Sequence, residues 1–556
     1  MNDVDETIAY HEHSKHFLDR FAEYMGFFDW DNRPEVYRDY EGSERIDLPL
    51  AADSVQITYN DLYKSEPDVR HAAGLDTLGC LFELGMGISA WKQWGERSGT
   101  VRCDPSSGNL HPTEGYLISP GNIGSVPAGV YHYHPHEHSL ETRCVLTDAD
   151  TAAVQALLPN NSFLIGLSSI YWRESWKYGV RAFRYCQHDL GHVIGSIRYS
   201  AAVLGWTCRI LDLDSATTNG IIGLDREGFI PEEGEHGETL LIVSPKARPD
   251  PNDIDAVAFA KVLSTASKNG AWQGSPKPLS AGYHPWPRIE EAARLTKVPE
   301  TTARAELPPP APLLNGVQGT ELPAPTLIRQ RRSALEFDGE STLDSAAFFL
   351  MLDRLIVRPD VAPFDALDWA PTIDLAMFVH RVAGVEPGLY YFHRSAVPLA
   401  ALQVATKPDF VWTRVAAAPE HLGLYLLEAG DFGEQAETVS CRQSIAATGA
   451  FSLGMVAEFA GSLERHGANF YRRLFWESGV IGQELYLEAE AAGIRGTGIG
   501  CFFDDPVHEI FGFSDNTFQS LYHFTMGSPL EDDRILPVGP YDHLEGRPQV
   551  SFSTGM

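Results

Sequence analysis

The feature that most constrains the fold of this chain is a gapless internal repeat. Residues 191–205 (GHVIGSIRYSAAVLG) and 479–493 (GVIGQELYLEAEAAG) both begin and end on glycine, with apolar residues at helical spacing between. Upstream, 127–133 (PAGVYHY) and 386–392 (EPGLYYF) form a second pair in the same order, each an alternating strand with an early glycine. The repeat predicts two related α+β domains, each with a central antiparallel or mixed sheet covered by helices.

Length and proline content indicate where one domain ends and the next begins. The chain has 556 residues, more than one hydrophobic core usually organises. Prolines are frequent between about 270 and 328, and proline removes hydrogen-bond donors and stiffens the backbone. We therefore predict a first domain over 1–270, a linker over 271–325 and a second domain over 326–556.

A long helix in each domain is predicted to bring the two copies together. In the first copy it should run from about Trp176 to Leu204, with Gly191 and Gly195 four residues apart on one face. Small residues let helices approach closely, as packing about a pseudo-twofold axis would require. The alternative is that these glycines only fit a crowded core.

The charge balance excludes several classes of partner. There are 43 Lys and Arg residues against 75 Asp and Glu, a formal charge of −32, so nucleic acid and anionic membranes would be repelled. Seven scattered cysteines without a CxxC pair indicate buried thiols in a reducing compartment. The polar, acidic beginning of the chain and the lack of a long apolar run favour a cytoplasmic protein.

Two short motifs carry candidate chemistry, one in each half. The loop 104–112 (DPSSGNLHP) offers hydroxyls, an amide and a glycine turn that could donate to the edge of a planar heteroaromatic group. In 329–339 (RQRRSALEFDG), two arginines and a serine precede the helix-like segment 343–355, an arrangement that suits a terminal phosphate. Taken singly, each motif could equally be an ordinary loop or a solvated basic cluster.

Together these motifs resemble the FMN-dependent nitroreductase superfamily. That family binds FMN at a dimer interface, with an R-x-S motif holding the phosphate and a P-S-S-x-N-x-x-P loop of the other subunit contacting the flavin. A third similar segment is 496–513 (GTGIGCFFDDPVHEIFGF), which resembles the family's loop over flavin N5. The residues implied to bind the cofactor are Arg102, Pro105, Ser106, Ser107, Asn109, Arg331, Arg332, Ser333, Gly498, Ile499, Gly500 and Arg534.

The resemblance implies a fused pseudo-dimer with one composite FMN site. The reciprocal site is expected to be lost, because 58–66 (TYNDLYKSE) stands where a phosphate motif belongs and 369–378 (WAPTIDLAMF) where a flavin loop belongs. One departure is Leu335, since family members commonly carry Lys or Arg there. Another donor would have to serve, or flavin affinity and potential would be lower.

Within the superfamily, 172–192 (WRESWKYGVRAFRYCQHDLGH) resembles the SagB-type dehydrogenases, which aromatise azolines in peptides and carry a Lys-Tyr pair beside the flavin. Lys177 and Tyr178 match that pair. A lysine desolvated near the ring could act as base, and the tyrosine could relay a proton or orient substrate. The alternative is that Lys177 only extends its amine to solvent and Tyr178 only packs.

The resemblance therefore implies an FMN-dependent dehydrogenase or oxidase that acts on a C–N or C–C bond of a peptide or heterocyclic biosynthetic intermediate. Other biosynthetic enzymes are possible partners, and further oligomerisation is open. Two alternatives are an NAD(P)H-dependent nitro or quinone reductase, and a flavin-retaining scaffold of a biosynthetic complex.

Four histidines in 131–140 (YHYHPHEHSL) recur at every second position and would share one face of a strand. Pro135 indicates a strand edge or turn, and no carboxylate or cysteine lies at an obvious ligand spacing. We predict solvated histidines on an edge strand and no metal.

Overall fold

The computed structural model describes residues 2–95, 97–158, 161–246, 255–298, 319–544 and 546. The elements of the first half are α1 (Asp3–His13), β1 (Tyr40–Glu41), β2 (Arg45–Asp47), α2 (Leu75–Met86), β3 (Ile88–Trp94), β4 (Arg97–Arg102), β5 (Thr113–Ile123), β6 (Val126–His134), β7 (Ser139–Val145), α3 (Asp148–Leu157), β8 (Phe163–Ile170), α4 (Tyr171–Tyr178), α5 (Ala182–Val203), β9 (Thr207–Leu211), α6 (Ser215–Ile222), β10 (Glu235–Ser244), α7 (Ala256–Asn269), β11 (Ala271–Trp272), β12 (Ser275–Pro276) and α8 (Pro287–Leu295).

Those of the second half are α9 (Ala324–Gln330), α10 (Ser345–Arg354), β13 (Ile373–Val379), β14 (Gly388–His393), α11 (Leu399–Ala405), β15 (Thr413–Arg414), β16 (Gly423–Ala429), α12 (Gly433–Val439), α13 (Ile445–Thr448), β17 (Phe451–Glu458), α14 (Ala460–His466), α15 (Phe470–Ala491), β18 (Arg495–Ile499), α16 (Asp504–Phe511) and β19 (Phe518–Gly527).

Each half is built on one sheet, and the two sheets have the same strand order. In the first half the order β7-β6-β5-β8-β10-β9 is flanked by β11 and β2, and in the second half it is β16-β14-β13-β17-β19-β18, flanked by β15. All of these ladders are antiparallel. The prediction of a duplicated α+β fold is confirmed, and the paired strands of the repeat, β6 and β14, occupy matching places.

The two long helices α5 and α15 cross at the glycines of the repeat. A methyl group on Gly191 would come 2.3 Å from the carbonyl oxygen of Trp476, and one on Gly479 would come 2.2 Å from that of His188. These two close approaches are equivalent under a pseudo-twofold rotation. Only glycine allows the backbones to lie this near to each other, and one continuous apolar cluster spans both halves around the crossing.

The predicted helix from Trp176 to Leu204 is divided in two. Helix α4 ends at Tyr178, a 3₁₀ turn covers Gly179–Arg181, and α5 begins at Ala182. Gly179 has a left-handed φ of +56°, and a methyl group there would come 2.1 Å from the carbonyl of Glu23. Lys177 and Tyr178 therefore lie at the end of a short helix, not at the start of the long one.

The predicted linker is partly described. Its residues 271–298 contribute β11, β12 and α8 to the first half, while 299–318 lie outside the described residues. The halves also exchange segments, because Leu536 donates its backbone N–H to Trp91 and Tyr541 is buried beside Tyr133. The exact domain limits stay a prediction.

The histidine prediction is wrong. Strand β6 lies inside the sheet between β5 and β7, and all of its residues except Pro127 are buried. His132 is fully buried, with Nε2 2.8 Å from Glu114 and Nδ1 2.9 Å from Glu141. Among the described residues, no group of His, Cys, Asp and Glu side chains is arranged to hold a metal ion.

Candidate functional site

A cavity of about 200 Å³ lies between the two halves and brings the two predicted motifs together. From the first half it is lined by Arg102, Asp104, Pro105, Ser106 and Asn109, and from the second by Arg331, Arg332, Ser333 and Arg495. The composite arrangement expected from the sequence is therefore present as geometry.

The buried carboxylate of Asp189 holds the loop 104–112 in place through hydrogen bonds. The backbone N–H of Ser107 donates to both oxygens of Asp189 at 3.1 Å, and its hydroxyl donates to one of them at 3.1 Å. Burial raises the pKa of Asp189 to about 7. Gly108 and Asn109 both adopt left-handed φ values, +62° and +58°. This contact was missed from the sequence, although an acidic residue two positions before Gly191 in an apolar helix is a usable signal.

Two guanidinium groups at the cavity are buried without acidic partners. Arg102 is 1% exposed and Arg331 3% exposed, and neither forms an ion pair with any described carboxylate. Arg331 donates to the carbonyl of Arg102 at 2.9 Å, but its Nε has no hydrogen-bond partner, nor do Nε and Nη1 of Arg102. Buried guanidinium groups that form no ion pair with described residues and keep unused donors, in a lining that also holds Asp104 and Asp532, are typical of an anion site.

The arginine-serine motif follows a helix, which corrects the expected position at a helix entrance. Residues 331–333 come directly after α9, and α10 begins only at Ser345. Arg332 donates to the carbonyl of Ser89 at 2.8 Å, and burial together with the charge of Arg331 lowers its pKa to about 10. The Ser333 hydroxyl lies 2.8 Å from the Tyr486 hydroxyl.

Tyr486 connects the arginine-serine motif to the glycine loop, defined here as Gly498–Gly500. The backbone N–H of Gly498 donates to the Tyr486 hydroxyl at 2.9 Å. Side chains on this loop would collide with tyrosines: a methyl group on Gly498 would come 1.9 Å from the Tyr522 hydroxyl, and one on Gly500 2.1 Å from the Tyr185 ring. The Ile499 side chain packs into an apolar cluster of the second half, so its backbone alone is available.

Lys177 and Tyr178 contact the loop 104–112 at Gly108. A methyl group on Gly108 would come 2.8 Å from Lys177 Nζ and 2.7 Å from the Tyr178 hydroxyl. Burial lowers the pKa of Lys177, and no described carboxylate forms an ion pair with it. The Tyr178 ring packs on the Tyr185 ring with centroids 4.5 Å apart, which links the pair to the glycine loop.

A buried carboxyl group lies one helical turn before this lysine. Glu174 is fully buried, and neither of its oxygens has a hydrogen-bond partner. Burial and the nearby Asp189 raise the pKa of Glu174 well above its usual value. A buried carboxyl group of raised pKa beside an amine of lowered pKa is the kind of arrangement found where protons are moved.

Lys177 also lines a second cavity of about 800 Å³, which shares Trp94 and Asn109 with the first. Its lining also includes the aromatic residues Phe28, Trp30, Tyr37, Trp91 and Trp176, together with charged residues, namely Asp31, Arg33, Glu35 and Arg97. A molecule reaching Lys177 would therefore contact both aromatic rings and charged side chains.

Several residues considered in the sequence analysis are not in the lining of either cavity: Ser107, Tyr178, Leu335, Gly498, Ile499, Gly500 and Arg534. Arg534 pairs with Asp532 at 2.8 Å with over a third of its side chain exposed, and it is not in the lining of either cavity. Leu335 is 47% exposed. Arg495, which sequence reasoning missed, is instead in the lining, and its position just before the glycine loop could have indicated it.

Comparison with solved structures identifies the fold. A presumed nitroreductase from Anabaena variabilis superposes with a TM-score of 0.67, covering 94% of this chain and 99% of its own at 20% identity. The chain has the nitroreductase fold. No model of a known protein family matches it.

Two curated proteins share a shorter stretch of sequence. The trifolitoxin-processing protein TfxB of Rhizobium leguminosarum bv. trifolii is 32% identical over 109 residues, and a presumed nitroreductase of Methanocaldococcus jannaschii is 31% identical over 108. Each match covers 18% of this chain, and 29% and 52% of the respective relatives. The chain therefore spans at most about half the length of these relatives. None of its described helices combines the length and apolarity needed to cross a bilayer.

Proposed function

We propose that this chain is an FMN-dependent oxidoreductase with a single composite cofactor site between its halves. The observation that carries the proposal is the pair of buried, unpaired guanidiniums of Arg102 and Arg331 at a cavity also lined by Ser333. A terminal phosphate would supply the missing charge and the missing acceptors.

The residues on the ring side also fit a flavin. Gly108, Gly498 and Gly500 keep backbone free of side chains beside Tyr178, Tyr185 and Tyr522. A planar ring needs such close backbone approach, and Ser106 and Asn109 add polar groups at its edge. When bound, FMN would supply a two-electron acceptor for hydride.

We further propose that the reaction is a dehydrogenation of a C–N or C–C bond in a peptide or heterocyclic intermediate, as in SagB-type enzymes. Such a reaction needs a base for the acidic C–H proton. Lys177 suits this role because its amine is half-buried, free of ion pairs with described residues, and of lowered pKa. The Tyr178 hydroxyl, on the same side of Gly108, would orient the lysine or the substrate.

The sequence match to a trifolitoxin-processing protein supports the proposal of a peptide substrate and of association with other biosynthetic enzymes. A nicotinamide-driven reductase would need no substrate base, so a free, desolvated lysine favours dehydrogenation. The aromatic residues in the lining of the larger cavity, such as Trp30 and Trp176, offer packing surface for a peptide segment beside Lys177.

The first test is cofactor content. Purified protein should be yellow and should release one FMN per chain on denaturation, measured by absorbance against protein concentration. Two FMN per chain would show that the reciprocal site is also active. Incubation with an azoline peptide in air should release peroxide, whereas rapid flavin bleaching by NADPH without peptide oxidation would favour the reductase, and inertness to both the scaffold.

A further inference from the structure

Two thiols lie against each other beside the glycine loop. The Sγ atoms of Cys441 and Cys501 are 2.7 Å apart, and both side chains are half-buried rather than enclosed. The prediction of buried thiols holds for the other five cysteines, Cys80, Cys103, Cys144, Cys186 and Cys208, whose pKa values burial raises. The pair is thus both accessible and close, unlike the remaining thiols.

The backbone around both cysteines is fixed at several points. The carbonyl of Gly500, directly before Cys501, accepts from Arg181 at 3.2 Å, and the carbonyl of Cys501 accepts from the Gln443 side chain at 3.2 Å. Cys441 has a left-handed φ of +54°, in the turn that joins α12 to α13. A non-glycine residue held in this conformation indicates that the turn is over-determined by its surroundings.

The local charges favour one thiol as nucleophile. The hydrogen bond with Cys441 lowers the pKa of Cys501, and the Arg181 guanidinium acts in the same direction. Cys441 shows the opposite shift, its pKa raised chiefly by the same hydrogen bond. A thiolate stabilised by a neighbouring cation and paired with a second thiol is the usual composition of a reactive dithiol.

We propose that Cys441 and Cys501 form a reversible dithiol-disulfide site that reacts with low-molecular-weight disulfides. The Cys501 thiolate attacks the small disulfide, one sulfur of which leaves as a thiolate while the other stays in a mixed disulfide. The Cys441 thiolate then displaces that second thiolate. The two protein thiols are oxidised by two electrons, the small disulfide is reduced to two thiols, and the protons pass to solvent or to the released thiolates.

The bond would join the end of the glycine loop to the turn between α12 and α13. Cys501 follows Gly500 directly, so a covalent link at this point restricts the loop that packs on Tyr185 and Tyr522. The first half offers an internal comparison, because the residue after β9 is Asp212 and no cysteine follows it in the corresponding turn. The oxidised state should therefore stiffen one loop and leave its counterpart unchanged.

The experiment is an equilibration of the full-length protein in glutathione buffers of rising oxidised fraction, followed by denaturation, alkylation and peptide mass mapping. We expect two of the seven cysteines to become protected from alkylation, joined in one cross-linked peptide pair containing Cys441 and Cys501. Cys441→Ser and Cys501→Ser should abolish the cross-link, and the remaining thiol should carry a glutathione adduct instead.

Hydrogen exchange supplies a second readout that needs no variant. Peptides over 496–503 should exchange more slowly in the oxidised protein, with β9 peptides unchanged. Retention of both thiols at a fully oxidised buffer, or a cross-link between other cysteines, would overturn the site. A cross-link with unchanged exchange at 496–503 would overturn the restriction of the loop.

Discussion

Each half contains a short helix followed by a long helix, α4 with α5 and α14 with α15. The two units share this framework and differ in how their charged side chains are paired. In each copy a short helix ends directly before a glycine with positive φ, Gly179 or Gly467, and a 3₁₀ segment or turn leads from there into the long helix. A helix of 22 residues then follows at the same spacing. Position for position, Lys177 matches Arg465, Tyr178 matches His466 and Asp189 matches Glu477.

In the first copy the charged groups are left free, and in the second they are neutralised. Lys177 has no ion pair among the described residues, whereas Arg465 pairs with Glu458 at 3.0 Å. Asp189 contacts only loop donors, but Glu477 forms a buried ion pair with Arg394 at 2.6 Å. A duplicated scaffold can therefore keep its shape while the first copy leaves these groups available for chemistry and the second copy uses the same positions for ion pairs.

The glycine loop shows the same contrast at the opposite end of the unit. The segment after α15 presents Gly498 and Gly500, while the segment after α5 has Ile210 and Asp212 at the matching positions. Ile210 is 3% exposed, so the first half buries a side chain at the position where tyrosine packs directly on the Gly498 backbone in the second half. The comparison supports the expectation of one cofactor site per chain.

The largest expected effect separates Lys177 from its counterpart. Lys177→Ala should retain FMN but lower turnover by about 10²–10⁴, the usual worth of a positioned proton acceptor. Arg465→Ala, the matched control, should turn over at the wild-type rate. Burial lowers the pKa of Lys177 from its ordinary value near ~10.4, so wild-type activity should rise with pH through that lowered pKa, and this limb should vanish in the alanine variant.

A Lys177→Ala protein with full activity would remove lysine from the mechanism. The reductase would then become the leading hypothesis. Equal loss in Arg465→Ala would instead show that both copies take part in the reaction.

The second-largest expected effect is on the free energy of unfolding, and it concerns the second copy. Glu477→Gln leaves the buried Arg394 guanidinium without its carboxylate, which typically costs about 3–5 kcal/mol. The midpoint of urea unfolding should fall accordingly, while FMN content per folded chain stays at one. Loss of FMN from folded Glu477→Gln protein would contradict the division of roles between the copies.

The sequence predicted the fold because its repeat is local and strongly patterned. Gly191 and Gly479 lie where two helices cross too closely to admit a side chain. These single residues therefore indicate a contact between distant parts of the chain. The composite cavity was also predictable, since each motif occurs once and is incomplete without the other. Both inferences rest on residues whose role is set by how closely two backbone segments approach each other.

What the sequence did not predict depends on contacts between distant segments. The break at Gly179 follows from the carbonyl of Glu23, more than 150 positions away, and no local pattern contains it. The burial of His132 depends on Glu114 and Glu141 on neighbouring strands, which the spacing of histidines within one strand cannot reveal. The family resemblance implies that Arg534 binds the cofactor, but its guanidinium pairs with Asp532 two residues away.

The third prediction tests the phosphate end of the site. Arg331→Ala removes a charge-assisted hydrogen bond worth about 1.5–3 kcal/mol, so FMN affinity should fall by roughly ten- to a hundredfold in a fluorescence titration. Arg329→Ala is the control, because Arg329 pairs with Glu83 and is not in the cavity lining. Equal affinity in wild type and Arg331→Ala would place the phosphate elsewhere.

The smallest effect concerns Asp189 and appears only as a pH dependence of stability. Burial raises the pKa of Asp189 to about 7 in the folded protein, against an ordinary value near ~3.9. Between these values the folded state binds a proton that the unfolded state has released, so rising pH lowers stability. From pH 5 to pH 7 the loss from this group should be roughly 2 kcal/mol, since each unit of pH is worth about 1.4 kcal/mol until the folded pKa is approached.

Asp189→Asn should remove this part of the slope, because an amide keeps an oxygen for Ser107 and does not titrate. Other buried carboxyls with raised pKa values, such as Glu83 at about 7, add slopes of the same sign to both proteins. The measurement is therefore the difference in unfolding free energy between wild type and variant at several pH values. Asp409→Asn, an exposed substitution, should leave the slope unchanged. Parallel pH curves for wild type and Asp189→Asn would mean that the carboxyl beneath the loop is ionised in the folded protein, and its contrast with the ion-paired Glu477 would disappear.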